Sequence, residues 1–196
     1  MPKPKPTLRP PPDAAALRAA ALSHLARYAA TQAGLTQILM RRIDRWARGA
    51  ADLIAAEAIE AARAAARAAV PAIVARLAET GALSDAVFAQ ARARSLARAG
   101  RSRRAIGAHL ASRGVPQALA AEALPTGADH ELAAALIHAR KRRIGPFSKT
   151  PQTAETKRRT LASLARAGFA QSTAAKALGM DPTEADKVIN EFRKEV

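Results

Sequence analysis

The sequence predicts an all-α protein assembled as a tandem array of short helical modules, and three observations predict it. Alanine dominates while Val, Ile and aromatic residues are sparse, a composition that supports helices strongly and strands poorly. The step Leu-Ala-x-x-Gly occurs four times, at Leu77–Gly81, Leu96–Gly100, Leu110–Gly114 and Leu164–Gly168. Each copy reads as the last turn of a helix, a leucine to be buried followed by a glycine free to turn left-handed. Three copies then carry an apolar plug (Ala82-Leu83, Val115, Phe169) with an upstream apolar partner in Ile73, Ile106 or Leu161. Gly100 is the exception, because Arg101 follows it, and that turn is expected to present charge. Self-similarity at short period indicates helical units, each too small to bury its apolar face alone.

The elements follow in order. Met1 to Asp13 holds six prolines with Lys3, Lys5 and Arg9, and is expected to be a disordered basic arm with at most a weak role in anion contact. Asp13 is placed to cap a helix through Leu17, Leu22, Leu25 and Tyr28, which Gly34 interrupts. An amphipathic stretch follows, with Ile38, Leu39, Ile43 and Trp46 opposite Arg41, Arg42, Arg45 and Arg48, ending at Gly49. Ala50 to Ala69 reads as an Ala-rich spacer helix. Pro71 reads as the first-turn residue of a new helix that stops at Gly81. Ser84 caps the next, carrying Val87, Phe88, Ala91 and Leu96 to Gly100. Ser102 caps a helix with Ile106 and Leu110, ended by Gly114. Pro116 opens another, closed by Pro125-Thr126-Gly127. Asp129 to Arg143 is a helix with Leu132, Leu136 and Ile137 inside, and Ile144 to Thr153 is a loop. The last helices run through Leu161 and Leu164 to Gly168-Phe169, then Ala174 and Leu178, then Val188, Ile189 and Phe192.

The net charge is +16, and it is uneven. Between Ala86 and Leu178 there are 17 basic and 4 acidic residues. Such an excess predicts a polyanionic partner, either nucleic acid or an acidic protein surface. Cysteine is absent, which excludes disulfide and thiolate chemistry and suits a reducing, cytoplasmic compartment. No segment has the apolar length of a membrane span. Catalysis finds no footing either. His24, His109, His130 and His138 are scattered, His130 and His138 are too far apart to ligate a metal from adjacent turns, and no glycine-rich phosphate loop exists. The expectation is a non-enzyme without cofactor or metal, monomeric and without membrane contact.

The pattern Gly81-x-Leu83-x-Asp85-x-x-Phe88-Ala89, Gly100, Ile106-x-x-x-Leu110-x-x-x-Gly114-Val115 resembles the central block of the RecX family of recombination regulators. Ala21-Leu22-x-x-Leu25 resembles the opening of that family's first repeat, and Glu131 to Lys141 the helix that opens the third. Lys157 through Leu164 to Gly168-Phe169 resembles its close. Where many members carry Gly-x-Gly, this chain has Gly100-Arg101-Ser102. The resemblance implies tandem three-helix repeats forming an elongated, curved array of right-handed helices. The resemblance leaves the Pro-rich start without a counterpart, so the chain is expected to divide into an arm at 1–13, a first repeat plus spacer helix at 14–70, a second repeat at 71–127, and a third repeat with the C-terminal helix at 128–196. It also implies a partner, the RecA recombinase as a filament on DNA, whose strand exchange, ATPase and co-protease activities the protein restrains in DNA repair and the SOS response.

Candidate contact residues form three clusters at corresponding places in successive modules. The first holds Arg92, Arg94, Arg98, Arg101, Arg103, Arg104 and Arg113. The second is Arg140, Lys141, Arg142 and Arg143, and the third Lys157, Arg158, Arg159 and Arg166. Arginine is preferred over lysine, which favours planar, bidentate contacts to phosphate or carboxylate. A solvated basic face would explain any single cluster, and cations at Arg140 to Arg143 suit a helix C-terminus. The three together suggest a continuous basic track facing the filament groove. Arg101, Arg103 and Arg104 sit at a helix start, where the dipole disfavours cations, so a bound anion is expected there. Ser102 to Leu124 could form a helix-turn-helix, but base-edge readers are scarce, so contact with single- or double-stranded DNA would be to the backbone. The alternatives are a basic helical nucleic-acid-binding or architectural protein, or a helical scaffold for another acidic partner.

Overall fold

The computed structural model describes residues 10–149 and 153–195. Most of the expected N-terminal arm, and Pro151 of the expected loop, lie outside the described residues. The described residues hold ten α-helices, one 3-10 turn and no strand. The chain divides into two compact units, Met1–Phe88 and Ala89–Val196.

The first unit is built on α1 (Ala14–Leu25), α2 (Gln32–Ala50) and α3 (Ala56–Glu79). Asp13 caps α1 as expected, its carboxylate accepting from the Ala16 N–H at 2.7 Å. The break after α1 falls earlier than Gly34, because the Thr31 hydroxyl accepts from the Gly34 N–H and starts α2 there. Leu17, Leu35, Leu39, Ile43, Val70, Val74 and Leu77 form the core. Two expected core residues lie outside it: Leu22 is 43% exposed and Tyr28 59%.

The helix break expected before Pro71 does not occur. α3 runs through Pro71, so the boundary between residues 70 and 71 falls inside a helix. The buried positions Ile59, Ala66, Val70, Ile73, Val74 and Leu77 keep helical phase on both sides of the proline. Pro71 sits on the exposed face, so the hydrogen bond it cannot donate is forgone where water can serve the carbonyl. The spacer helix starts later than expected, since Leu53 and Ile54 lie in a turn before it. Asp44 on α2 receives Arg67 at 2.7 Å and Arg63 at 3.0 Å from α3. Desolvation opposes ionisation of Asp44, but the hydrogen bonds and charges of Arg67 and Arg63 outweigh it and hold the carboxyl below its ordinary value. Asp85, at the start of α4 (Asp85–Arg98), is 5% exposed and accepts from the Gln32 N–H at 2.8 Å, serving the free first turn of α2.

In the second unit, α4 leads to α5 (Arg103–Ser112), α6 (Gln117–Ala123) and α7 (Ala128–Arg142). A 3-10 turn (Gly145–Phe147) precedes α8 (Ala154–Arg166), α9 (Gln171–Gly179) and α10 (Pro182–Glu195). The apolar face expected for α4 is corrected. Val87 is 65% exposed and Ala91 is exposed, whereas Ala89, Ala93 and Ala97 are buried. The buried face of α4 is thus a narrow stripe of alanines one turn apart. α7 is buried beyond its expected three residues: every position from Leu132 to Ile137 is buried, as befits a helix enclosed by others.

All four Leu-Ala-x-x-Gly glycines have positive φ, from 72° to 91°. The carbonyl of the motif leucine is the acceptor each time. It receives Arg101 N–H at 3.0 Å, Val115 at 3.1 Å and Phe169 at 3.1 Å, and in the first copy Leu83 at 3.1 Å. The plugs Leu83, Val115 and Phe169 are all buried. Gly100 lacks a plug of its own and is instead covered by α7. A Cβ there would lie 2.7 Å from Ile137 Cγ2 and 3.0 Å from the His138 backbone N. A fifth stop of the same form ends α7. Arg143 takes φ 54°, and Ile144 N–H returns to the Ala139 carbonyl at 3.0 Å. Arginine stands there in place of glycine, so the repeat does not show in the sequence.

Two outcomes follow for stability, measured by denaturant unfolding. Gly100→Ala is expected to cost about 3 kcal/mol or more, because left-handed strain adds to a clash with backbone, while Gly81→Ala, with open space at its Cβ, costs about 1–2 kcal/mol. Equal losses would contradict the close approach. Pro71→Ala is expected to stabilise by about 2 kcal/mol, since it restores an intrahelical hydrogen bond at an exposed position. A loss of stability would mean that α3 needs the proline.

Candidate functional site

Part of the candidate cations, from α4, α5 and the end of α7, flank the α4–α5 turn. Ser102 starts α5: its hydroxyl accepts from the Ala105 N–H at 3.2 Å and donates to the Ala167 carbonyl at 2.6 Å. Ser102 is fully buried, and a Cβ on Gly168 would lie 2.6 Å from its oxygen. The turn between α4 and α5 is thereby seated against α7 on one side and the α8–α9 turn on the other.

That seating decides where the arginines go. Arg101 is exposed beside the turn. Arg103 donates its backbone N–H to Glu131 at 2.9 Å and its guanidinium to the Pro125 carbonyl at 2.9 Å. The anion expected at the start of α5 is thus supplied from within, by a carboxylate of α7, and the conflict with the dipole is offset there. The stem of Arg104 runs past Gly168, 3.3 Å from its would-be Cβ. Arg92 donates from Nε to His109 Nε2 at 3.0 Å, joining α4 to α5. Arg94 and Arg98 are exposed one turn apart on α4, and Arg113 is exposed at the end of α5.

The run Arg140 to Arg143 does not act as one cluster. Arg140 pairs with Asp186 of α10 at 2.9 Å and lies over the Phe147 ring. Lys141 reaches the Ala99 carbonyl at 2.8 Å, serving the free C-terminal end of α4. Arg142 and Arg143 are exposed. The cause is geometric, because each residue turns about 100° around the axis and successive side chains leave in different directions. In the third cluster, Arg159 pairs with Glu155 one turn back, while Lys157, Arg158 and Arg166 are exposed along α8.

Two histidines missed as site residues lie within this field. His109 is pushed below its ordinary pKa by burial, and then by Arg92, Arg113 and Arg101. His138 is pushed down by burial, then by Arg142, Arg101 and Lys141, and its ring packs edge-on to Phe169. Arg101 acts on both imidazoles, so the structure brings together Arg92 of α4, Arg101 of the turn, Arg113 at the end of α5, and Lys141 and Arg142 at the end of α7. Nothing in the spacing of His109 and Arg92 advertises their hydrogen bond. The structural-motif residues have packing roles: Leu83, Ile106, Leu110, Leu164 and Phe169 are buried, Phe88 is half-buried, and Asp85 serves α2. Among the described residues no group of three His, Cys, Asp or Glu side chains could hold a metal ion, and no helix is long and apolar enough to cross a membrane.

Comparison with known proteins agrees with this architecture. The family model for the second three-helix domain of RecX matches residues 84–124. The chain is 42% identical over 170 residues to the regulatory protein RecX of Myxococcus xanthus (strain DK1622), covering 85% of this chain and 86% of that one. It is 33% identical over 110 residues to the regulatory protein RecX of Agrobacterium fabrum (strain C58 / ATCC 33970), covering 56% and 59%. The crystal structure of RecX from Lactobacillus salivarius shares the fold, with a TM-score of 0.58 at 15% identity over 93% of this chain and 97% of that one.

The two depressed imidazoles tie stability to pH. Both are neutral in the folded protein at neutral pH, and both bind a proton more readily once unfolded. The unfolded state therefore takes up protons first as pH falls below about 6.5, the unfolded histidine value. Their contribution is full above that pH and is lost progressively as pH falls toward the folded values. The denaturant midpoint is expected to drop between about pH 7.5 and about pH 5.5. The drop should shrink in a His109→Gln, His138→Gln double variant, and an unchanged drop would assign it to other groups.

Proposed function

The chain belongs to the RecX family of regulatory proteins, and from that premise we propose that it binds the RecA recombinase in the filament RecA forms on DNA. There it restrains strand exchange, ATP hydrolysis and co-protease activity, acting in the cytoplasm in DNA repair and the SOS response. It does so as a monomeric, non-catalytic regulator without a cofactor, whose repeats serve as docking modules. The observation that carries this reading is the charge balance around the α4–α5 turn. Two of the four acids between Ala86 and Leu178 are committed inside the chain, Glu131 to the start of α5 and Glu155 to Arg159. Among the described residues, Arg94, Arg101, Arg104, Arg142, Arg143, Lys157, Arg158 and Arg166 form no salt bridge.

The track of this proposal is narrower than three whole clusters. Arg101 and Arg142 lie at its centre, flanked by Arg94, Arg104 and Arg143. Arg140 is left out, because it serves Asp186. Arg143 supports the reading independently, since it holds a left-handed turn that glycine would adopt without strain. Contacts to DNA go to phosphates, as the scarcity of base-edge readers requires.

DNA-stimulated ATPase of the cognate recombinase tests the proposal. Inhibition at well below one protein per recombinase subunit is the expected outcome. Inhibition only at amounts that saturate the DNA would instead favour a general basic nucleic-acid-binding or architectural protein. An Arg101→Glu, Arg142→Glu variant should need at least tenfold more protein for half-inhibition and bind with a shallower salt dependence. Unchanged inhibition by that variant would remove the track.

A further inference from the structure

We propose that Arg92 and His109 form a proton-coupled seat for one phosphodiester of a nucleic-acid backbone. The hydrogen bond between them sets the chemistry. Arg92 Nε–H donates to His109 Nε2 at 3.0 Å, and a guanidinium has no lone pair to offer in return. His109 Nε2 is therefore the acceptor, and the ring is neutral with its proton on Nδ1. The ring is half-buried between α4 and α5, so this state is held by packing as well as by the bond.

Protonation of Nε2 removes the acceptor. Two cations then stand 3.0 Å apart with their N–H groups head to head, an arrangement that repels. At 3.0 Å the two nitrogens leave no room for an atom between them, so the repelled side chains part. An anionic oxygen then accepts from both N–H groups, and charge-assisted bonds of this kind are the strong ones. The step balances simply: one proton leaves solvent for His109 Nε2 as one phosphate oxygen enters, and no covalent bond changes. The surroundings favour the polyanion over a single acidic side chain. Arg92 of α4, Arg101 of the α4–α5 turn and Arg113 at the end of α5 all act on His109. From α6, which packs on α5, the titratable group is Glu122, which is exposed and is not among the groups that shift the ring. A lone carboxylate would meet one of these charges, whereas a phosphodiester chain presents an anion to each in turn. Burial is the first cause of the lowered His109 pKa, and the three arginines add to it. An anion offsets the arginines' share and offers Nε2–H an acceptor, and both effects favour the protonated ring.

The inference rests on the phosphate-contact part of the proposed function and is independent of the recombinase. Binding of a rhodamine-labelled oligodeoxythymidylate, followed by polarisation at constant ionic strength from about pH 5.5 to about pH 8, tests it. Affinity should weaken by up to about tenfold per unit rise in pH, over the window between the free and bound pKa of His109. Calorimetry in two buffers of different ionisation enthalpy should show net proton uptake by the unaltered protein. His109→Gln should abolish the pH slope and the uptake while keeping the salt dependence. His138→Gln should keep the slope, because His138 Nε2 is enclosed without a hydrogen-bond partner. Failure to bind the oligonucleotide, binding without proton uptake, or an equal slope in His109→Gln would each overturn the proposal. Proton-coupled binding without recombinase inhibition would overturn only the regulatory reading, and inhibition without proton coupling would overturn only this one.

Discussion

The seating of the α4–α5 turn is the constraint on which the second unit depends. Two contacts make it, and both require the absence of a side chain. Gly100 lets the turn close onto Ile137 and the backbone of α7, and Gly168 lets the α8–α9 turn close onto Ser102. Ser102 then does two jobs at once, capping α5 and donating to the Ala167 carbonyl. A buried hydroxyl with both capacities used stabilises without the penalty of an unmet polar group. From this seat follow the reach of Lys141 to the end of α4, the contact of Glu131 with the start of α5, and the exposure of Arg101.

The same seat explains how a thin, alanine-rich protein keeps its helices together. The middle of α7, buried from Leu132 to Ile137 and rich in alanine, packs on its neighbours through small side chains, which gains dispersion contacts at short range. In the first unit the device is different. Aliphatic side chains fill the core, while two carboxylates tie the helices by their polar ends. Asp85 serves the free N–H groups of α2, and Asp44 holds two arginines of α3.

Charge is sorted by this packing and not simply accumulated. Of the cations flanking the turn and ending α7, Arg103, Arg140 and Lys141 are spent on internal acceptors. Arg101 and Arg142 are left exposed and close enough to act on the same imidazole. Burial is the first cause that depresses both histidines, and the cations add to it: Arg101 acts on both rings and Arg142 on His138 alone.

Much of the fold was legible because helix starts and stops are local. Asp13, Ser84, Ser102 and the four glycine stops act through backbone groups within a few residues, and the chain order of residue types determined all of them, together with the excess of basic charge and the likeness to the RecX family. Where a larger-scale periodicity competed with a local signal, the local reading failed. Pro71 signals a start, yet a buried stripe with helical phase on both sides carries α3 through it. Gly34 signals a break, yet Thr31 starts the helix before it. The fifth stop was hidden because Arg143 adopts a conformation that its residue type does not announce. Tertiary structure alone decided which arginines meet. Contacts such as Arg92 with His109, Glu131 with the start of α5 and Ser102 with Ala167 join residues far apart in the chain. Their geometry is set by helix packing, for which residue spacing carries no code.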